Sequence, residues 1–193
     1  MTRAARRADE RRKPLLYLDI DGPLNPYAAM PDHLPTGYQE HHLMPPRWEA
    51  MERARLETWD RPGAQPRPLP VWLDPTHGAQ LSALPYELVW ASTWEEDANG
   101  FVAPLIGLPP LPWITWEGTL IGEPGPLFWK TPEVVAAAAG RPFAWIDDEV
   151  TTADETWVAV HHPAPALLLR IDPGVGLREP DLDRLRSWAA GLR

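Results

Sequence analysis

The sequence predicts an α/β fold of Rossmann-like, three-layer type, with helices on both sides of a mostly parallel central sheet. Short apolar runs recur at residues 15–20, 87–91, 143–146 and 167–171. Each is near-continuous rather than alternating, as strands buried on both faces require. Between and after them stand segments with helical spacing or helix-start chemistry. Strands that alternate with helices imply parallel pairing through crossover connections.

In chain order, residues 1–13 carry Arg3, Arg6, Arg7, Arg11, Arg12 and Lys13 and read as a basic, flexible tail. Residues 14–193 read as one domain. The first strand stops at Asp21-Gly22-Pro23, and the chain from about 23 to 85 is proline-rich and otherwise irregular. A helix is expected within it at 48–58, where Trp48, Met51 and Trp59 form a partial apolar stripe. This stretch is expected to be an insertion after the first strand, serving as a flap or small cap over a site. Thr76 suits the cap of a short helix ending near Leu84, and the second strand follows at 87–91. A helix at 95–102, a strand candidate at 112–116 and a Gly/Pro loop around 122–126 lead to Lys130. Thr131 reads as an N-cap with Pro132 at the first helical position, and that helix stops at Gly140. Beyond the strands at 143–146 and 167–171, Leu182, Leu185, Trp188 and Ala189 give a final amphipathic helix over 180–192.

Composition narrows the class. A chain of 193 residues with 44% hydrophobic and 23% charged residues is one globular domain's worth, which excludes a disordered or coiled-coil chain. The absence of cysteine excludes disulfides and thiolate metal sites, so a reducing cytoplasm is the expected home. No apolar run approaches the ~18 residues of a membrane span. Asp19 also interrupts the stretch after the tail before it resembles an export signal. Net charge is −9 despite the basic tail. The body is therefore strongly acidic and repels polyanions unless a local patch or a bound cation intervenes.

The polar residues are informative by position. Asp19 and Asp21, Ser92 and Thr93, and Asp147 with Asp148 all follow buried strands. In open parallel sheets ligands bind beyond the carboxyl ends of the strands, so these groups can share one crevice. Asp19 and Asp21 lie two apart on extended backbone and project to one side, where they repel without a cation. Magnesium takes carboxylate oxygens while keeping water and phosphate ligands, and Asp147 and Asp148 can complete its shell. Phosphoryl transfer needs a nucleophile, a proton donor, phosphate donors and neutralising charge. Asp19, Asp21, Ser92 and Lys130 supply one each. A calcium EF-hand is excluded, because Leu24 and Met30 stand where its glycine and glutamate belong. Of eleven tryptophans, Trp90, Trp145 and Trp188 read as core, and Trp94, Trp116 and Trp129 fall nearer the crevice. Asn25 and Asn99 suit either orienting the site or ordinary turn and surface duty. The pairs His41-His42 and His161-His162 have no ligand frame around them.

Asp19-Ile20-Asp21-Gly22-Pro23-Leu24, the strand-terminal Ser92, Lys130 at a helix start and Asp147-Asp148 resemble the four ordered motifs of the haloacid dehalogenase (HAD) superfamily. More narrowly, Asp21 to Pro26, Val89 to Trp94 with Ala98-Asn99, and Arg141 to Glu149 resemble small bacterial HAD domains grouped with RNA-repair proteins. The resemblance runs from about Leu15 to the carboxyl end. It implies a magnesium-dependent phosphatase with an aspartyl-phosphate intermediate. Asp19 would be nucleophile and metal ligand, Asp21 acid/base within the metal site, and Asp147 and Asp148 the second metal anchor. Ser92, or Thr93 beside it, and Lys130 would bind phosphate. The implied substrate is a phosphorylated small molecule or a nucleic-acid end. A phosphotransferase of the same fold and a non-catalytic binding module are the rival expectations. Pro23 departs from the pattern, since it lacks the backbone N–H that turn commonly offers.

Overall fold

A computed structural model of the chain describes residues 13–30, 33–59, 63–116, 125 and 127–192. The tail up to residue 12 and most of the Gly/Pro loop at 122–126 lie outside them. Four strands form the central sheet: β1 (Leu15–Leu18), β4 (Glu87–Trp90), β5 (Phe143–Asp147) and β6 (Ala166–Arg170). Their order is β4-β1-β5-β6 and every pairing is parallel. Two further strands, β2 (Gln39–Leu43) and β3 (Leu69–Leu73), pair antiparallel in a separate sheet.

Side chains alternate across the central sheet and feed two cores. Leu16, Leu18, Trp90, Ala144 and Ile146 enter one cluster; Leu15, Tyr17, Phe143 and Trp145 enter the other. The first is covered by α2 (His77–Ser82), the π-helical turn Ala98–Val102, α3 (Ala103–Ile106) and α6 (Glu179–Gly191). The second is covered by α4 (Thr131–Ala138) and α5 (Thr152–His161). Helices therefore lie on both faces, consistent with a Rossmann-like α/β fold. Trp90, Trp145, Tyr17 and Phe143 are the largest fully buried side chains, and burying each contributes about 1.5–3 kcal/mol.

The proline-rich segment is more ordered than its composition suggests. It holds β2, then α1 (Pro46–Thr58), then β3, with His41 opposite Val71 and His42 opposite Pro70. Proline is tolerated because a two-stranded sheet consists only of edges. Val71 and Leu73 anchor the insert in the first core.

Several local expectations change. Thr76 adopts helical backbone and does not cap α2; its hydroxyl donates to Asp74 Oδ1 at 2.7 Å. Lys130, not Thr131, occupies the cap position of α4, and the Thr131 hydroxyl donates to Asp154 at 2.7 Å. Residues 112–116 form an isolated bridge, Trp90 to Trp113, not a full strand. The helix expected at 95–102 is a turn followed by the π-helical stretch. Helix α5, which sequence patterning does not reveal, begins where Asp154 accepts from the backbone and hydroxyl of Thr151. Among the described residues, no helix is long and apolar enough to cross a membrane.

Candidate functional site

Asp19 follows the last residue of β1, and Asp147 is the last residue of β5. These strands are neighbours, with Leu18 opposite Ile146, and the Asp19 amide continues the ladder to the Ile146 carbonyl at 3.1 Å. Carboxylates 128 positions apart in the chain thus arrive side by side. Together with Asp148 they offer oxygens that all lie within 4.8 Å of one another, and all three residues are buried.

Lys130, at the start of α4, inserts its ammonium among them. It donates to Asp19 Oδ2 at 2.9 Å and Asp147 Oδ2 at 3.0 Å, and is only 3% exposed. The Phe128, Trp116 and Trp129 rings surround Nζ, with centroids 5.3, 6.0 and 6.0 Å away. Burial opposes the ammonium's charge, but Asp19 and Asp147 outweigh it and hold Lys130 above its ordinary range. Burial, reinforced by Asp19, pushes the Asp147 carboxyl well above its usual value against the pull of Lys130. Burial raises Asp148 as well, opposed by the Tyr27 hydroxyl, which donates to its Oδ2 at 2.8 Å. Three buried carboxyl groups face one ammonium, and their all-oxygen donor set suits a hard divalent cation, whose charge would favour their ionised forms.

Asp21 stands outside that group of three. Its Oδ1 accepts from Asn25 Nδ2 at 2.7 Å and its Oδ2 from Trp94 Nε1 at 3.0 Å. Burial, the largest influence, lifts its carboxyl above the ordinary value; the Asn25 bond opposes this and Asp19 adds to it. Asn25 Oδ1 in turn accepts from the Trp72 amide at 3.0 Å, so one amide side chain ties Asp21 to β3 of the insert.

Gly22 makes the sharp turn possible. Its φ is 91°, and a Cβ there would lie 2.5 Å from Asp148 Cγ.

The two hydroxyls after β4 differ. Ser92 is buried, its Oγ meets no partner, and its carbonyl accepts from Trp116 Nε1 at 3.0 Å. Thr93 is exposed and lines a cleft of about 300 Å³ with Asp19, Asp21, Tyr27, Lys130 and Asp148. A second cavity, of about 460 Å³, shares Asp21, Tyr27 and Thr93 with this cleft and is also lined by Trp48 and Met51.

Of the sequence-predicted site residues, Asp19, Lys130, Asp147 and Asp148 converge directly, and Asp21 and Thr93 border the same cleft. Ser92 lies behind Thr93 on the same strand end. Trp94 and Trp116 are buried here, the first bonded to Asp21 and the second packed against Lys130. Tyr27 escapes sequence reading because nothing marks it among ordinary turn residues; the bridge between Asp21 and Asn25 folds it back onto Asp148. Arg47 of α1 also pairs with buried Glu95, a contact no local pattern announces. Asn99 turns out structural, bonding Trp90 Nε1 and the Leu111 backbone. Compared with family models, curated proteins and solved structures, the chain finds no significant match.

Proposed function

We propose that this chain is a magnesium-dependent phosphomonoesterase of the haloacid dehalogenase type, acting through an aspartyl-phosphate on Asp19. The observation that carries the reading is the convergence of Asp19, Asp147 and Asp148 around Lys130 at the carboxyl edge of a parallel sheet. Asp19, Asp147 and Asp148 would hold Mg²⁺, which when bound supplies positive charge facing the phosphoryl oxygens.

An Asp19 carboxylate oxygen forms the new bond to phosphorus while the ester P–O bond breaks. Asp21 gives its proton to the departing alkoxide, a role suited to a carboxyl raised by burial. A water then loses a proton to Asp21 and attacks the acyl phosphate, releasing inorganic phosphate and restoring the Asp19 carboxylate. Lys130 keeps one N–H beyond its two carboxylate bonds, and Thr93 offers its hydroxyl to a remaining oxygen. The insert serves as a small cap, tethered to Asp21 through Asn25.

The test is a magnesium-dependent phosphatase assay on an aryl phosphate and on oligonucleotides bearing 3′- or 5′-phosphates. Hydrolysis stops on chelation of the metal, and Asp19→Asn loses at least about a thousandfold in kcat. Persistent turnover in that variant removes Asp19 as nucleophile.

A further inference from the structure

The phosphatase reading leaves the alcohol half of the substrate open, and the larger cavity speaks to it. Asp21 lies where the acidic cleft and the 460 Å³ cavity meet. A proton donor must touch the ester oxygen, so a phosphoryl group beside Asp19 directs its alcohol into the larger space. That space falls within the ~300–1,000 Å³ typical of small-molecule pockets.

Its walls are chiefly apolar. Trp48, Met51, Leu69 and Pro70 come from the insert, and Trp94 comes from the core. Its charges are Asp21, Asp97 and Arg47. Arg47, half exposed, is already paired with buried Glu95, which offsets its charge. Another phosphate entering this space would meet Asp97 beside Asp21 and no unpaired cation among the described lining residues.

We infer that, given the phosphatase reading, the substrate is the phosphomonoester of a small, uncharged alcohol bearing an aromatic ring, and not a polynucleotide end. The ring is taken up among Trp48, Met51 and Trp94, whose indole and thioether side chains favour a flat apolar group. Arg47 stays with Glu95 and gives the cavity no net positive charge.

The experiment compares benzyl phosphate with glycerol phosphate, two alkyl esters with alkoxide leaving groups, one presenting an aromatic ring and the other two hydroxyls. A 5′-phosphorylated oligonucleotide is the third substrate. With Mg²⁺, kcat/KM for benzyl phosphate exceeds that for glycerol phosphate by about tenfold or more, the difference lying mainly in KM. The oligonucleotide is the poorest of the three. Trp48→Ala lowers the benzyl-to-glycerol ratio about tenfold, and Met51→Ser, at an exposed position that tolerates change, lowers it about threefold. Equal selectivity for the two esters, an oligonucleotide preference, or a ratio unmoved in both variants overturns the inference while leaving the phosphatase intact. Calorimetry keeps the two readings apart. If no phosphate is turned over but benzyl phosphate binds more tightly than glycerol phosphate and Trp48→Ala abolishes the difference, the catalytic reading fails and the cavity's preference stands. No such difference in binding overturns the inference as well.

Discussion

The Lys130 ammonium lies 3.0 Å from Asp147 Oδ2, joining a helix start to a strand end with both side chains sealed from solvent. It also lies 2.9 Å from Asp19, so a single cation holds two buried carboxylates in register. Removing one partner of such a pair exposes the other to an apolar medium without compensation.

Lys130→Met therefore destabilises the protein by about 3–5 kcal/mol, read from denaturant unfolding. Lys130→Arg does not restore stability, because a planar guanidinium cannot replace a compact ammonium ringed by Phe128, Trp116 and Trp129. A fully stable Lys130→Met would show that the carboxylates do not depend on it.

Gly22→Ala combines two penalties. The backbone is held at a φ of 91°, and the added methyl meets Asp148 Cγ at 2.5 Å. The expected loss is about 2 kcal/mol or more of stability, together with weakened Mg²⁺ binding as Asp148 is displaced. Thermal unfolding with and without Mg²⁺ measures both; a variant whose melting temperature rises with Mg²⁺ as much as the parent's contradicts the Asp148 assignment.

Asn25→Ala removes the donor to Asp21 and leaves the Trp72 amide without its acceptor. Stability falls by about 1 kcal/mol, while kcat falls about tenfold because Asp21 loses its orientation and the insert its tether. Asn25→Asp keeps an acceptor for Trp72 but sets a like charge against Asp21, so it loses more activity than stability. Steady-state kinetics beside unfolding curves separate the two effects.

Asp154 gives a pH prediction away from the cleft. Burial works against its charge, but donors from Thr151, Thr131 and the Phe128 amide prevail and hold its carboxyl below the ordinary value. A carboxyl depressed in the folded state stabilises above its unfolded pKa, and that contribution disappears as pH falls through the folded value. Asp154→Ala is expected to be less stable than the parent by about 3 kcal/mol at neutral pH, from buried donors left unpaired. The gap narrows as the solution is acidified, and a gap constant with pH excludes the ionised role.

Much of the fold is legible in sequence because buried strands of a parallel sheet must be apolar on both faces. The apolar runs at 15–20, 87–91, 143–146 and 167–171 therefore mark the four strands to within two residues, although the edge strand at 87–90 buries only Trp90 fully. The insert does not. Gln39–Leu43 is largely exposed, so no alternation marks it, and Pro70 argues locally against the strand it occupies. Thr131 illustrates a different failure. Its residue type fits a cap, yet its hydroxyl finds a better acceptor in Asp154, 23 positions later.

The chain alone marked Asp19, Asp147 and their neighbours as polar residues at strand ends, since a carboxylate closing an apolar run marks the point where a buried strand leaves the core. Only the three-dimensional arrangement decided which of them meet. Asp147 joins Asp19 through strand pairing, Asp21 turns aside to Asn25 and Trp94, and Thr93 rather than Ser92 lines the cleft. Side-chain type is a local property of the polymer, whereas proximity between distant carboxylates depends on sheet register and on which buried donors each oxygen meets.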